Sequence, residues 1–192
     1  MISNSPVIDK VLHKDTMGTL GEIHTYKDSM GTFKGKVRIS VEEDGENKVV
    51  WEDPNLIVDL GRKILTHLLA EADANYMVNS ISLGTKGHDL VAGDILTPIA
   101  PVVSDTGLID TTNVFSKPIS TNFAYQGTAP VDNSIQFQIV LEKSEGNGTT
   151  GTIAYTEAGL FTANGSLFAR ETFPAIVKNA NRRITFQWII LF

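Results

Sequence analysis

The residues of this chain that could do chemistry are four histidines, a few loop carboxylates and one carboxylate set in an apolar stretch. His13, His24, His67 and His88 are too widely spaced to form a ligand pair, and no zincin, calcium-loop or nucleophile-elbow pattern occurs. The chain has no cysteine, so thiolate ligation and disulfides are excluded. Gly31-Thr32-Phe33-Lys34-Gly35-Lys36 brushes against a phosphate loop, but its spacing is wrong and its lysine opens a strand, not a helix. Lys86-Gly87-His88-Asp89 is the most catalytic-looking cluster, yet no nucleophile accompanies it. Asp105 and Asp110 are weak candidates for the carboxylate pair that glycoside hydrolysis needs.

Glu157 is a different case, because it interrupts the otherwise apolar run around Ala154, Ala158, Leu160 and Phe161. A buried carboxylate needs a partner, and Arg170 lies across the Asn164-Gly165 hairpin signal. If 163 and 166 pair across that turn, 159 faces 170 and 157 faces 172. Glu157 and Arg170 then sit diagonally on one face as a structural ion pair. No residue is assigned a catalytic, cofactor-binding or metal-ligating role, and no cofactor is expected. Asn147-Gly148-Thr149 and Asn164-Gly165-Ser166 match glycosylation sequons but read as turns.

The elements that would position these residues are mostly strands. Val37, Ile39 and Val41 alternate with Lys36, Arg38 and Ser40, a half-buried strand over 33–43. Asp44-Gly45-Glu46-Asn47 turns it into a second strand over 48–52, which Asp53-Pro54-Asn55 ends. Leu60, Ile64, Leu65, Leu68 and Leu69 form one stripe of a helix over about 59–71, with Asp59 as its N-cap. Further strands are expected over 79–85, 114–125, 135–141, 153–161, 166–173 and 184–192, with Pro174 ending the fifth. Pro118 makes the second, 114–125, an edge strand. Residues 86–114 lack periodicity, and such an excursion usually serves binding or an interface. In the final strand Ile189 and Leu191 leave no polar face, so burial on both sides is expected.

Residues 1–32 are polar and read as an arm, with 33–192 as one domain. Lys14-Asp15-Thr16-Met17-Gly18-Thr19 returns as Lys27-Asp28-Ser29-Met30-Gly31-Thr32, two similar turns flanking a short strand over 20–26. Met17 and Met30 would be adaptable apolar anchors on a neighbour. A net charge of −6, with no basic cluster beyond Arg182-Arg183, argues against nucleic acid. No apolar run is long enough for a membrane helix, and no signal peptide is read at Met1–Lys10. The fold class is mainly β, an antiparallel, jelly-roll-like β-sandwich with one helix and an N-terminal arm.

The block Thr156-Glu157-Ala158-Gly159-Leu160-Phe161, Leu167-Phe168-Ala169-Arg170 and Thr172-Phe173-Pro174, with Ile176, Lys178 and the row Phe186, Trp188, Ile190, Phe192, resembles a recurring domain of tailed-phage virion proteins. Asn55-Leu56-Ile57-Val58 through Gly61 and Ser82-Leu83-Gly84-Thr85 extend the likeness over roughly 50–192. Lys86-Gly87-His88-Asp89 departs from the family's small-residue stretch, and 1–32 lie outside it. The resemblance implies a virion protein made in the bacterial host cytoplasm, non-enzymatic and homo-oligomeric, with three-fold symmetry favoured. It would dock on other virion proteins at the neck or collar, the baseplate or a fibre root. A capsid decoration protein is the runner-up, and a host-glycan-binding module using Tyr76, Phe115 or Tyr125 is the rival class. Interface candidates are Met17, Met30, Ile189, Leu191 and Phe192.

Overall fold

The computed structural model describes residues 11–14, 20–23, 34–88, 97–119 and 134–191. The chain divides into two units, 1–32 and 33–192. In the first, β1 (Val11–Lys14) and β2 (Leu20–Ile23) form an antiparallel hairpin with Val11 opposite Ile23. The sequence reading placed a strand at β2 but none at β1. Met17 and Met30 lie outside the described residues.

The second unit is one antiparallel sheet and a single helix. Its strands are β3 (Lys34–Glu43), β4 (Glu46–Ile57), β5 (Val78–Gly84), β6 (Phe115–Pro118), β7 (Ser134–Leu141), β8 (Thr152–Thr162), β9 (Leu167–Asn179) and β10 (Arg183–Leu191). Their order is β6-β5-β8-β9-β4-β3-β10-β7. Phe173 of β9 and Phe186 of β10 have ring centroids 6.1 Å apart, although β4 and β3 lie between them in that order. Three strand spacings would separate them by about 14 Å in a flat sheet. At the two ends of the order, Lys117 Nζ of β6 donates to the Val140 carbonyl of β7 at 2.7 Å. The sheet therefore curls until its edges nearly meet. The mainly β expectation holds, with the two layers of the sandwich supplied by halves of one continuous sheet. They enclose a core that includes Val37, Ile39, Leu83, Leu160, Phe186 and Trp188.

Two prolines expected to end strands do not. β4 runs through Pro54 to Ile57, and β9 runs through Pro174 to Asn179. The reason is local: β4 and β9 pair only at Leu56–Arg170 and Ile57–Ala169, then part. Both prolines lie on strand edges that have lost their neighbour, where a missing N–H breaks no ladder bond. The β8–β9 hairpin also differs in detail. Gly165, at φ +83, follows a turn closed from Gly165 N–H to the Thr162 carbonyl, so 163 and 166 do not pair. A second shift at Leu160/Phe161 restores the register, and Gly159 faces Arg170 as Glu157 faces Thr172.

The helix α1 spans Asp59–Glu71 as the periodicity indicates, but its cap is Val58, without a side-chain bond. Main-chain bonds fix its start instead: Val58 N–H donates to the Phe168 carbonyl at 3.3 Å and Asp59 N–H to the Val103 carbonyl at 2.9 Å. α1 packs on β9, so closely that a Cβ at Gly61 would come within 2.1 Å of the Phe168 carbonyl oxygen. The leucine stripe is only partly core: Ile64 is 1% exposed, whereas Leu69 is 89% exposed. Ile64→Ala should therefore cost about 2–5 kcal/mol, and Leu69→Ala no more than about 0.5 kcal/mol. Urea denaturation of the two variants checks this; equal losses would show that α1 is misplaced on the sheet.

Candidate functional site

Glu157 and Arg170 are both shut away from water, at 0% and 2% exposure. Arg170 donates through Nε (3.1 Å) and Nη2 (3.0 Å) to Glu157 Oε2, and through Nη1 to Asp105 Oδ2 (2.7 Å). Glu157 also accepts the main-chain N–H of Ile109 at Oε2 (3.0 Å) and that of Asp110 at Oε1 (2.7 Å). The pair thus pins part of the non-periodic excursion across the outer face of the sheet. Missing side chains make the room: a Cβ at Gly84 would meet Glu157 Oε1 at 2.7 Å, and one at Gly159 would meet Leu108 at 3.0 Å.

Asp110 extends the same network. It accepts from the main-chain N–H groups of Thr85, Thr112 and Asn113 and from the Thr85 hydroxyl, at 2.6–3.0 Å. Burial alone would raise its pKa, but these bonds outweigh it and hold the carboxyl well below the usual carboxylate range. Asp105 and Asp110 are both tied into one network, Asp105 through Arg170 and Asp110 through Thr85, Thr112 and Asn113. Of the Lys86–Asp89 cluster, Lys86 Nζ lies 3.7 Å from Asp110 and His88 is 8% exposed with Nδ1 unpartnered. Asp89 lies outside the described residues. Of the aromatics named for glycan binding, Tyr76 stacks on His67 at 4.4 Å, Phe115 is half-buried, and Tyr125 lies outside the described residues.

Lys178 was noted only as part of the resemblance, yet it is 0% exposed. Its ammonium donates to Asn147 Oδ1 at 2.6 Å and the Asn179 carbonyl at 2.9 Å, anchoring the loop after β7. Desolvation lowers its pKa against the opposing pull of Glu145 and Glu142.

β10 sends Ile184, Phe186, Trp188 and Ile190 into the core, each at most 1% exposed. The opposite row is exposed only towards its end: Ile189 is half-buried beside the buried Gln136, and Leu191 is 45% exposed. Around them stand Lys34 and Lys36 on β3 and Ser134 and Gln136 on β7. Covering by α1, the intramolecular alternative for this face, does not occur, because α1 lies on β9. Phe192 lies outside the described residues.

Glu171 escaped the sequence reading. It shares its side of β9 with Ala169 and Phe173 of the core, the row opposite to Arg170. It is 5% exposed, and burial, with the charge of Asp53 added, pushes its pKa up to about 8. The available signal is a carboxyl between two core residues, Ala169 and Phe173.

No family model, curated protein or solved structure matches this chain.

The uncharged Glu171 has a consequence for stability. An unfolded chain sheds this proton near 4.5, whereas the folded one holds it to about 8. The folded state binds more protons between those values, so stability falls as pH rises through that window. Glu171→Gln removes this dependence. The variant should match wild type near pH ~5 and melt at a higher temperature near pH ~9. A melting difference that does not change with pH would contradict an uncharged Glu171.

Proposed function

We propose that this chain is a non-enzymatic structural component of a tailed-phage particle, assembling with copies of itself through the outward face of β10. The observation that carries the reading is Leu191, an apolar side chain 45% exposed beside the half-buried Ile189, on a strand whose other face is fully core. Lys34 and Lys36 beside it give the spot a polar rim, the arrangement of an interface core at its boundary. The polar residues that could have done chemistry support the same reading. Glu157, Arg170, Asp105 and Asp110 are engaged in bonds that hold the fold. The likeness of the 156–192 block to tailed-phage virion domains adds the setting: a closed ring, three-fold by preference, at the neck or collar, the baseplate or a fibre root. The virion is then its destination and other virion proteins its further partners.

Leu191→Asp separates assembly from folding, because a charge buried without a partner is expensive wherever the residue is covered. Light scattering should give a defined oligomer for wild type and a folded, soluble monomer for the variant. A wild-type protein that stays monomeric at high concentration, with or without virion partners, would overturn the proposal.

A further inference from the structure

Lys178 of β9 is shut away from water, and its side chain ends against the loop that joins β7 to β8. Nζ lies 2.6 Å from Asn147 Oδ1, 2.9 Å from the Asn179 carbonyl oxygen and 3.4 Å from that of Lys143. Glu145 and Glu142 act on it through their charge, and desolvation outweighs them, so its pKa is lowered. Burial of this kind favours the neutral amine, and a neutral, desolvated lysine amine is a nucleophile. The nearest carbon it can attack belongs to the Asn147 amide.

That amide is held in place. Asn147 Nδ2 donates to the Lys143 carbonyl at 2.8 Å, which keeps Oδ1 turned to Lys178. The loop around it is fastened in turn. The Tyr155 hydroxyl donates to the Gly146 carbonyl at 2.9 Å, and Glu142 N–H donates to Glu145 Oε2 at 3.0 Å. Gly148, at φ +67, turns the chain immediately after Asn147. An amine and an amide fixed against each other make the reaction between them effectively intramolecular, with its orientation already set.

We infer that Lys178 and Asn147 join in an isopeptide bond, a covalent cross-link between β9 and the β7–β8 loop. The neutral Nζ adds its lone pair to Asn147 Cγ, and the carbonyl π pair moves onto Oδ1. One proton passes from Nζ to Nδ2, with the nearby Glu145 carboxylate as its carrier. The pair on Oδ1 then re-forms the carbonyl as the Cγ–Nδ2 bond breaks and ammonia leaves. One amide and one amine become one amide and one ammonia, so no oxidant, metal or co-reactant is needed. The closed loop runs from 147 to 178 and takes in all of β8, the Asn164-Gly165 turn and most of β9. Such a closure stabilises mainly by constraining the unfolded chain, as a disulfide does, in a protein without cysteine. The bond forms within one chain, so it does not depend on assembly through β10.

The test is mass spectrometry of the full-length protein, freshly purified and after prolonged incubation at neutral pH. The intact mass should fall below that of the sequence by one ammonia. In a tryptic digest, peptides 144–170 and 171–182 should appear joined, with cleavage after Lys178 lost. Lys178→Met and Asn147→Ala should keep their full sequence masses and give the peptides unlinked. The wild-type digest is decisive by itself, so a variant that fails to fold does not blunt the test. A succinimide closed between Asn147 and Gly148 also loses ammonia, but it persists in Lys178→Met, opens in hydroxylamine and leaves the two peptides separate. That result would overturn the inference, as would a wild-type protein that keeps its full mass throughout, with Lys178 a structural ammonium only.

Discussion

A carboxylate and a guanidinium closed off from water cannot be left half bonded, and that requirement organises much of the second unit. Glu157 and Arg170 sit diagonally across β8 and β9, and their mutual bonds leave two oxygen sites and one nitrogen to satisfy. Water does not reach them, so the chain supplies the partners: Ile109 N–H, Asp110 N–H and the Asp105 carboxylate. A non-periodic segment that would otherwise run loose over the surface is thereby fastened to the sheet. Removing one member of such a pair leaves the other as an unpaired buried charge, at about 3–5 kcal/mol. Asp110 continues the fastening to Thr85 at the end of β5 and to the turn at Thr112 and Asn113. Gly84 and Gly159 supply the space the network needs.

The same segment explains why β9 is buried on both faces from Leu167 to Phe173. Ala169, Glu171 and Phe173 face inwards, while Arg170 and Thr172 lie beneath the excursion, Thr172 donating its hydroxyl to the Ile99 carbonyl at 2.9 Å. The outward face of β10 has no comparable cover among the described residues, and Leu191 stays exposed there. This contrast between two faces of one sheet is the observation behind the proposed assembly surface on β10. Where β4 and β9 part they no longer bond to each other, and Trp51, Asp53, Asn55 and Glu171 line the gap.

The strands and the helix were legible because their apolar rows have clear periods. Val37, Ile39 and Val41 alternate, the stripe through Ile64 repeats at helical spacing, and Asn164-Gly165 marks its hairpin. The Glu157–Arg170 diagonal came out as expected although the turn pairs differently, because the shift at Leu160/Phe161 cancels the offset at the turn. What failed depended on non-local facts. Pro54 and Pro174 look like strand ends until it is known that β4 and β9 separate beside them. Leu69 belongs to an apolar stripe, but where α1 lies on β9 only Ile64 of that stripe is fully covered. The curl of the sheet, and with it the meeting of Lys117 and Val140, leaves no local pattern at all.

Glu157 and Arg170 hold the excursion on the sheet through bonds shut away from water, and native-state hydrogen exchange reads this most directly. The N–H groups of Ile109 and Asp110 belong to a segment without secondary structure, yet they donate to a fully buried carboxylate. Their exchange should require the same free energy as amides in the middle of β8, that is, global unfolding. Exchange as fast as in the exposed loop at 148–151 would contradict it, showing that the segment opens freely and that Glu157 and Arg170 are available to other partners.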